Sequence, residues 1–148
     1  LIQQRIQEFV DYLSGSSLEH QIYHAQDCLS ANALAMLRQQ NRISHFIRTV
    51  HHIEDYVSPY LQACQDRSIH AADLCLCVSQ YWQTELQKHY QIEAKQVANG
   101  VNWQQFSPVP SGIEPELRER WHLHGSPIFL TIGGIEPRKN SLNLLRAF

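Results

Sequence analysis

Apolar residues recur along the chain at two spacings, one typical of amphipathic helices and the other of short buried strands. One face of a first helix carries Ile2, Ile6, Phe9, Val10 and Leu13, and the stretch Ser14–Ser17 ends this helix. Four short apolar runs follow and predict strands at residues 21–24, 46–50, 74–78 and 94–97. Strands and helical patterns therefore alternate up to Gly100.

The helices between these strands carry start signals of their own. Ser30 is predicted to cap the second helix, the third follows Pro59 and runs to about Ala72, and Ser79 is predicted to cap the fourth. Strands separated by helices of about 10 to 15 residues need crossover connections, which produce a parallel sheet. The chain is therefore predicted to be α/β, beginning within a doubly wound, Rossmann-like domain.

A change of composition after Val101 predicts a second domain. Residues 102–112 are rich in proline and glycine and are predicted to be an irregular linker. A helix near 114–121 and a buried strand over about 127–133 are then expected to open another Rossmann-like domain. We therefore predict a partial N-terminal domain at 1–101, the linker, and the truncated start of a C-terminal domain at 113–148.

Charge and cysteine content narrow the class of protein. The net charge is −2 and hydrophobic residues make up 43 % of the chain, as in globular proteins that do not bind nucleic acid through a general positive charge. Apolar runs fall short of the roughly 20 residues of a membrane span, which leaves only peripheral membrane contact open. The four cysteines do not have the spacing of a disulfide framework, so we expect buried thiols and a cytoplasmic location.

A glycine turn near the end of the chain has the layout of a diphosphate-binding loop. Gly133 and Gly134 follow the predicted strand, and Arg138, Lys139 and Asn140 precede the final helix. Glycines allow close backbone approach to a ligand, and a helix start and adjacent cations favour negative charge. The alternative interpretation is an ordinary strand-to-helix turn with a solvated Arg–Lys pair.

Polar residues follow two neighbouring predicted strands. His24, Gln26 and Asp27 follow one strand, and His51 and His52, with Glu54 and Asp55, follow the next. Ligands of parallel sheets bind beyond the carboxyl ends of strands, so this edge is the expected ligand site. A structural role for His24 remains an equal alternative. A zinc site is disfavoured because adjacent His51 and His52 point in different directions.

Four segments of the chain resemble motifs of retaining nucleotide-sugar glycosyltransferases of the large group-1 class (family 4, GT-B fold). Residues 97–102 with Phe106-Ser107-Pro108 resemble the Asn-Gly-Val-Asp…Phe-x-Pro segment, and residues 133–140 look like the Gly-x-x-Glu-Pro-Arg-Lys-Asn donor-phosphate loop. Residues 23–27 and 50–52 are similar to the His-x-(His/Gln)-Asp and Val-His strand ends. The motifs stand in the family's order, and the resemblance that they mark extends over nearly the whole chain.

The resemblance implies an enzyme of the hexosyltransferase type that moves a sugar from a nucleotide-diphospho-sugar to a hydroxyl of a glycan, lipid or small molecule. Lys139 and Arg138 are then expected to stabilise the leaving diphosphate, with His51 as a further catalytic residue. Gly133, Gly134 and Asn140 are expected to bind the donor diphosphate, and His24, Gln26, Asp27 and His52 to line the acceptor or sugar pocket. Asn99 and Gly100 are expected to form a hinge between the domains, because Asn-Gly permits positive φ at low steric cost and so suits a sharp exit from a strand. The resemblance implies neither a metal nor a cofactor.

The chain departs from the family pattern at Gly134, Gln26 and Asn102, where the family usually has Arg, His and Asp. Because Leu1 is not an initiator and Phe148 follows only about two helical turns, we expect an interior piece of a longer enzyme that is inactive by itself. The family's carboxylate pair and early glycine loop would lie outside it. A non-catalytic sugar-phosphate-binding module and a nucleotide-sugar epimerase on the same fold are the alternative functions.

Overall fold

The computed structural model describes residues 1–16, 20–109 and 111–148, with the side chain of Arg138 also outside the description. Ser17 of the predicted helix end and Pro110 of the predicted linker therefore lie outside the described residues. The described chain forms two compact units, Leu1–Gly100 and Val101–Phe148. The assignment of these units to parts of two larger domains stays a prediction.

The first unit alternates helices and strands. Its elements are α1 (Ile2–Gly15), β1 (His24–Ala25), α2 (Cys28–Gln39), β2 (Ile47–Val50), α3 (Pro59–His70), β3 (Leu74–Cys77), α4 (Gln80–Glu85) and β4 (Lys95–Gln96). A π-helical turn, Leu86–Tyr90, continues α4. The second unit contains α5 (Glu114–Arg120), a 3-10 turn (Pro137–Lys139) and α6 (Ser141–Ala147).

The four strands form one parallel sheet in the order β1-β2-β3-β4. His24 pairs with Ile47, Ile47 with Leu74, and Leu76 with Lys95. Each connection passes through a helix, as parallel neighbours require. The α/β class and the parallel sheet predicted from the sequence are confirmed. β1 begins at His24, later than the predicted start at residue 21, because only His24 and Ala25 pair with β2.

Two of the helix starts were predicted from serines, and one prediction is wrong. Ser79 caps α4, and its Oγ accepts a hydrogen bond from the Trp82 N–H at 3.3 Å. The cap of α2 is Asp27, whose Oδ1 accepts from the Ser30 N–H at 2.8 Å. A carboxylate at the N-cap also interacts favourably with the helix dipole, so the helix begins earlier than Ser30.

The core of the first unit consists of two apolar clusters. The first joins α1 and α2 to the sheet and contains Ile6, Val10, Leu34 and Phe46, whereas Phe9 of the predicted α1 face is 42 % exposed. The second surrounds β3. Its buried members are Val50, Ile69, Cys75, Cys77, Leu86 and Ala94. All four cysteines are free thiols, and three are buried.

A buried amide joins the crossover helices α2 and α3. Asn32 is fully buried, and its Nδ2 donates to the carbonyl oxygens of Cys28 and Cys64, both at 2.8 Å. Its Oδ1 accepts a hydrogen bond from Arg67 Nε. Because Cys28 belongs to α2 while Cys64 and Arg67 belong to α3, one side chain fixes the two helices against each other.

The predicted buried strand at residues 127–133 is wrong. The described residues of the second unit contain no strand, and Leu130 and Ile132 are 81 % and 83 % exposed. A parallel strand needs neighbours to satisfy its backbone N–H and C=O groups, and this unit supplies none among its described residues. The helix predicted near 114–121 is confirmed as α5.

Gly100 does not adopt the positive φ that the Asn-Gly pair permits. Positive φ occurs at Gly112, Gly125 and Gly133, and Gly100 is not among these glycines. A Cβ added at Gly100 would meet nothing within 4 Å. Neither strain nor crowding therefore requires glycine here, and the hinge role of Asn99 and Gly100 stays a prediction.

Within the described residues, no helix has the length and apolar character needed to cross a membrane.

Replacing Asn32 tests whether its amide holds α2 and α3 together. Asn32→Leu leaves the Cys64 carbonyl and Arg67 Nε without their buried partner, which we expect to cost about 1–3 kcal/mol of unfolding free energy. Urea denaturation followed by circular dichroism measures this loss. Gln7→Leu, which removes an exposed amide of α1, is the control and should change stability by less than about 0.5 kcal/mol. Equal effects of the two substitutions would contradict the proposed role of Asn32.

Candidate functional site

The parallel pairing of β1 and β2 brings the polar residues after each strand to one edge of the sheet. Ala25 is level with Arg48, so the segment that begins at Gln26 lies beside the end of β2. His51 Nε2 and Gln26 Oε1 are 2.9 Å apart, although 25 positions separate them in sequence. The structure thus brings together two residues that the sequence analysis placed in one pocket.

Four side chains form a continuous hydrogen-bonded chain along this edge, which we call the carboxyl-edge chain: Thr49, His24, Gln26 and His51. His51 Nε2–H donates to Gln26 Oε1, and Gln26 Nε2 donates to His24 Nε2 at 3.0 Å. Thr49 Oγ1 lies 2.7 Å from the same His24 nitrogen. This arrangement requires an unprotonated Nε2 on His24 and fixes the positions of both imidazoles.

A cavity of about 290 Å³, the carboxyl-edge cavity, lies beside this chain. Its wall comes from the ends of β1 and β2, the start of α2, one face of α3 and Ile2 of α1: Ile2, Gln26, Asp27, Cys28, Leu29, Arg48, Val50, His51, His52, Glu54, Tyr56, Leu61, Cys64, Gln65, Ser68 and Ile69. Gln26, Asp27, His51 and His52, all predicted pocket residues, belong to this wall, whereas His24 does not.

The predicted pocket residues on the wall have different local partners. Asp27 caps α2, so its carboxylate has a structural task as well as a position on the cavity wall. His52 Nε2 lies 2.9 Å from Glu54 Oε1, whereas His51 contacts Gln26. Adjacent imidazoles therefore have separate partners, as expected from their opposite directions along the chain.

The loop after β2 is held in place by two glutamines of α3 that the sequence analysis did not identify. Gln65 accepts from the Glu54 N–H at 2.9 Å and donates to the Glu54 carbonyl at 3.0 Å. Gln62 Nε2 donates to the Tyr56 carbonyl. These bonds satisfy backbone groups of an irregular loop and so position His51, His52 and Glu54.

Arg48 is another polar residue on the cavity wall that was not identified from the sequence. It lies within β2, is only 6 % exposed, and donates from Nη1 to the Thr49 carbonyl at 2.6 Å. Burial lowers the pKa of its guanidinium, which nevertheless remains charged at neutral pH. The signal that could have found it is an arginine inside a predicted buried strand, since buried charges are rare without a purpose.

A second cavity, of about 830 Å³, lies on the other side of the loop after β2. Its wall includes Asp55 and Glu54, together with the edge-to-face aromatic pair Tyr81 and Trp82. The π-helical turn contributes Tyr90, whose phenol has a pKa raised by burial. Aromatic faces beside carboxylates are suited to polar ligands that carry apolar surface.

In the second unit the predicted donor loop forms a 3-10 turn, Pro137–Lys139, directly before α6. Gly133 has a φ of +132°, and a Cβ there would lie 3.3 Å from Lys139 Cε. Glycine at this position therefore makes room for the stem of Lys139, which runs past the turn. Gly134 has no such neighbour, since a Cβ there would meet nothing within 4 Å.

The remaining predicted donor residues are only partly brought together. Asn140 lines a cavity of about 360 Å³ beside the start of α6, and its Oδ1 accepts from Asn143 Nδ2 at 2.7 Å. Lys139, Gly133 and Gly134 are not on that wall, and the side chain of Arg138 lies outside the described residues. The diphosphate role of these residues stays a prediction.

Among the described residues, no group of three or more His, Cys, Asp or Glu side chains could hold a metal ion.

The sequence matches the model of one known protein family. The family model described as Glycosyltransferase Family 4 matches residues 5–105, which is more than half of the chain and includes the carboxyl-edge chain. No curated protein matches the sequence.

Replacing Thr49 tests the carboxyl-edge chain. Thr49→Val removes the hydroxyl beside His24 Nε2, so we expect the nitrogen-15 resonance of His24 Nε2 to move and that of His51, two hydrogen bonds further along, to move less. Nuclear magnetic resonance of the histidine rings measures both. Thr84→Val, which removes an exposed hydroxyl on α4, is the matched control. An unchanged His24 resonance in Thr49→Val would show that the hydroxyl does not hold the ring.

Proposed function

The chain belongs to Glycosyltransferase Family 4 and has a function of the glycosyltransferase type, and we propose that it transfers a sugar from a nucleotide-diphospho-sugar to an acceptor hydroxyl with retention. The observation that supports an acceptor site in the first unit is the Gln26–His51 hydrogen bond beside the carboxyl-edge cavity. It combines a fixed imidazole, an amide and a small cavity at the sheet edge where ligands of such folds bind.

In the proposed reaction, the acceptor hydroxyl attacks the anomeric carbon from the face that the diphosphate leaves. The bond from that carbon to the diphosphate oxygen breaks, a bond to the acceptor oxygen forms, and the hydroxyl proton passes to a donor phosphate oxygen. Negative charge grows on the leaving group during this step. The protein's main contribution is therefore the placement of positive charge and of the acceptor.

Lys139 supplies the positive charge in this proposal, together with Arg138. The stem of Lys139 runs past Gly133. Its ammonium forms no ion pair with the described residues, so it is available to a phosphate oxygen. An ammonium group can move with the leaving group as its charge grows, because its flexible stem has no fixed fork geometry. Gly133, Gly134 and Asn140 would form the backbone around the diphosphate.

His51 positions the acceptor. Its Nε2 donates to Gln26, so the Nδ1 side of the ring is the part that can accept a hydrogen bond from an acceptor hydroxyl. Asp27 and His52 lie on the same cavity wall, and His24 holds Gln26 from behind. This arrangement uses Gln26 as a connecting residue where the family usually has a second histidine.

Replacing Lys139 tests the donor part of the proposal. A charge-assisted hydrogen bond to phosphate is worth roughly 1.5–3 kcal/mol, so Lys139→Ala should weaken nucleoside-diphosphate binding about 10- to 100-fold. Turnover should fall further than binding, because the leaving-group charge grows in the transition state. Calorimetric titration of a nucleoside diphosphate and a transferase assay measure the two quantities.

The matched control is Lys88→Ala, which removes an exposed lysine from the π-helical turn. Arg138→Ala should behave like Lys139→Ala if it replaces the cation that the family has at Gly134. If Lys139→Ala binds the diphosphate as tightly as the parent protein, residues 133–140 form an ordinary turn and the donor assignment is wrong. Diphosphate binding without any transfer would instead favour a sugar-phosphate-binding module.

Replacing His51 tests the acceptor part. His51→Ala removes the imidazole that contacts Gln26, and we expect it to reduce kcat/KM for the acceptor at least about 10-fold, the lower range of general acid–base and positioning effects, while nucleotide binding is retained. His45→Ala is the control because His45 precedes the opposite end of β2. Equal kinetics of the two variants, or an acceptor-bound structure without contact to His51, would refute this role.

A further inference from the structure

Arg48 is a buried cation on the wall of the carboxyl-edge cavity, and its Nε has no hydrogen-bond partner among the described residues. It is the one buried side-chain nitrogen or oxygen in the described part of the chain without such a partner. Nη1 donates to the Thr49 carbonyl, which satisfies one edge of the guanidinium only. The charge therefore lies in the interior with an incomplete set of partners.

Such an arrangement is costly for a protein that has no ligand for it. A buried donor without a partner lowers the stability of the folded state, and a charged donor lowers it more. Methionine or leucine would fill the same position in β2 without this loss. A ligand with the opposite charge would offset this loss of stability by supplying the missing hydrogen-bond acceptor.

Most of the other polar side chains on the cavity wall already have protein partners. His51 contacts Gln26, His52 contacts Glu54, and Asp27 accepts from the Ser30 N–H. Ser68 Oγ donates to the Gln65 carbonyl at 2.7 Å, and Gln65 holds the Glu54 backbone. Arg48 Nε is thus the buried donor on this wall, within the described residues, that a ligand oxygen would satisfy.

The negative groups near the guanidinium do not replace a ligand. Burial raises the pKa of the Cys28 and Cys75 thiols, so both remain neutral at physiological pH. Asp27 and Glu54 are the carboxylates on the cavity wall, and each is engaged by the contacts just given.

We propose that the carboxyl-edge cavity binds an anionic oxygen group, a carboxylate or a phosphate, and that Arg48 Nε–H donates to it. The apolar remainder of the wall, which includes Val50, Leu61 and Ile69, would hold the carbon skeleton beside that group. This inference rests on the proposed function in one respect only: the ligand is then the acceptor, and the acceptor is an anionic small molecule. Anion binding itself does not depend on transfer.

The proposal is tested by titrating the protein with inorganic phosphate and, separately, with acetate at constant ionic strength. Nitrogen-15 spectra of the arginine side chains detect the Arg48 Nε–H directly, and we expect its resonance to shift on saturation with at least one of the two anions. A shift with phosphate alone indicates a phosphate-bearing ligand, and a shift with acetate alone indicates a carboxylate. No Arg48 shift with either anion overturns the proposal.

Three variants assign the binding to the cavity. Arg48→Met should weaken anion binding about 10- to 100-fold, whereas Arg5→Met, which removes an exposed arginine of α1, should leave it unchanged. Lys139→Ala should also leave it unchanged, because Lys139 belongs to the proposed donor loop. Loss of anion binding in Lys139→Ala but not in Arg48→Met would place the anion at the donor loop and overturn the inference.

Thermal stability separates a ligand-binding arginine from a structural one. Without added anion, Arg48→Met should keep or raise the Tm, since it replaces an incompletely paired buried charge with an apolar side chain. Saturating anion should raise the Tm of the parent by roughly 5 °C and that of Arg48→Met by much less. If Arg48→Met fails to fold, or has a lower Tm than the parent without anion, Arg48 is structural and the proposal is wrong. In that case Arg48→Lys, which keeps the charge, should restore the Tm.

Failure of this inference and failure of the proposed function are distinguishable. If the parent protein binds neither anion and Arg48→Met retains transfer activity, the proposal of an anionic ligand is wrong and the proposed transferase function stands. Unchanged nucleoside-diphosphate binding in Lys139→Ala overturns the donor assignment and leaves anion binding at Arg48 in place.

Discussion

The hydrogen bonds of the Asn32 amide are the constraint on which the functional edge of the first unit depends. α2 and α3 are the connections from β1 to β2 and from β2 to β3, so their relative position decides what lies beyond the carboxyl ends of all three strands. Asn32 satisfies both of its N–H groups and its carbonyl across the two helices. A buried amide with every group paired specifies one arrangement, because any other leaves polar atoms without partners. The carboxyl-edge cavity lies between the helix segments fixed in this way.

The parallel sheet then determines which side chains meet at that edge. His24 and His51 follow different strands, and register places both beside Gln26, whose amide can donate on one side and accept on the other. An amide in this position fixes two imidazoles at once, which a histidine in the same place could do only in one tautomer. Gln26 therefore connects the two strand ends and fixes the proton positions along this edge.

Two basic residues illustrate different uses of positive charge. Lys139 is exposed, and its flexible stem passes a glycine, so its ammonium can follow charge that develops during a reaction. Arg48 is buried and rigidly held in β2, so its charge is already in place before a ligand arrives. Preorganised charge favours binding of a defined anionic group because little freedom is lost on binding, whereas the stem of Lys139 must be ordered when its ammonium meets a phosphate oxygen. The proposed acceptor and donor roles assign each residue to the task that its surroundings favour.

The sequence by itself determined the α/β class and the order of the elements in the first unit, because apolar period is a local property. Strand-end position also placed Gln26 and His51 at one edge of the sheet, but their hydrogen bond is a tertiary contact. It misassigned the cap of α2, since Ser30 and Asp27 are both good caps and only the backbone path shows which one is used. It predicted a strand at 127–133 from an apolar run, but a strand exists only with neighbours, and the described second unit has none. The buried, incompletely paired Arg48 and the Asn32 contact could be recognised only in the tertiary structure. Burial and hydrogen-bond satisfaction depend on residues that are distant in sequence, and no local pattern contains that information.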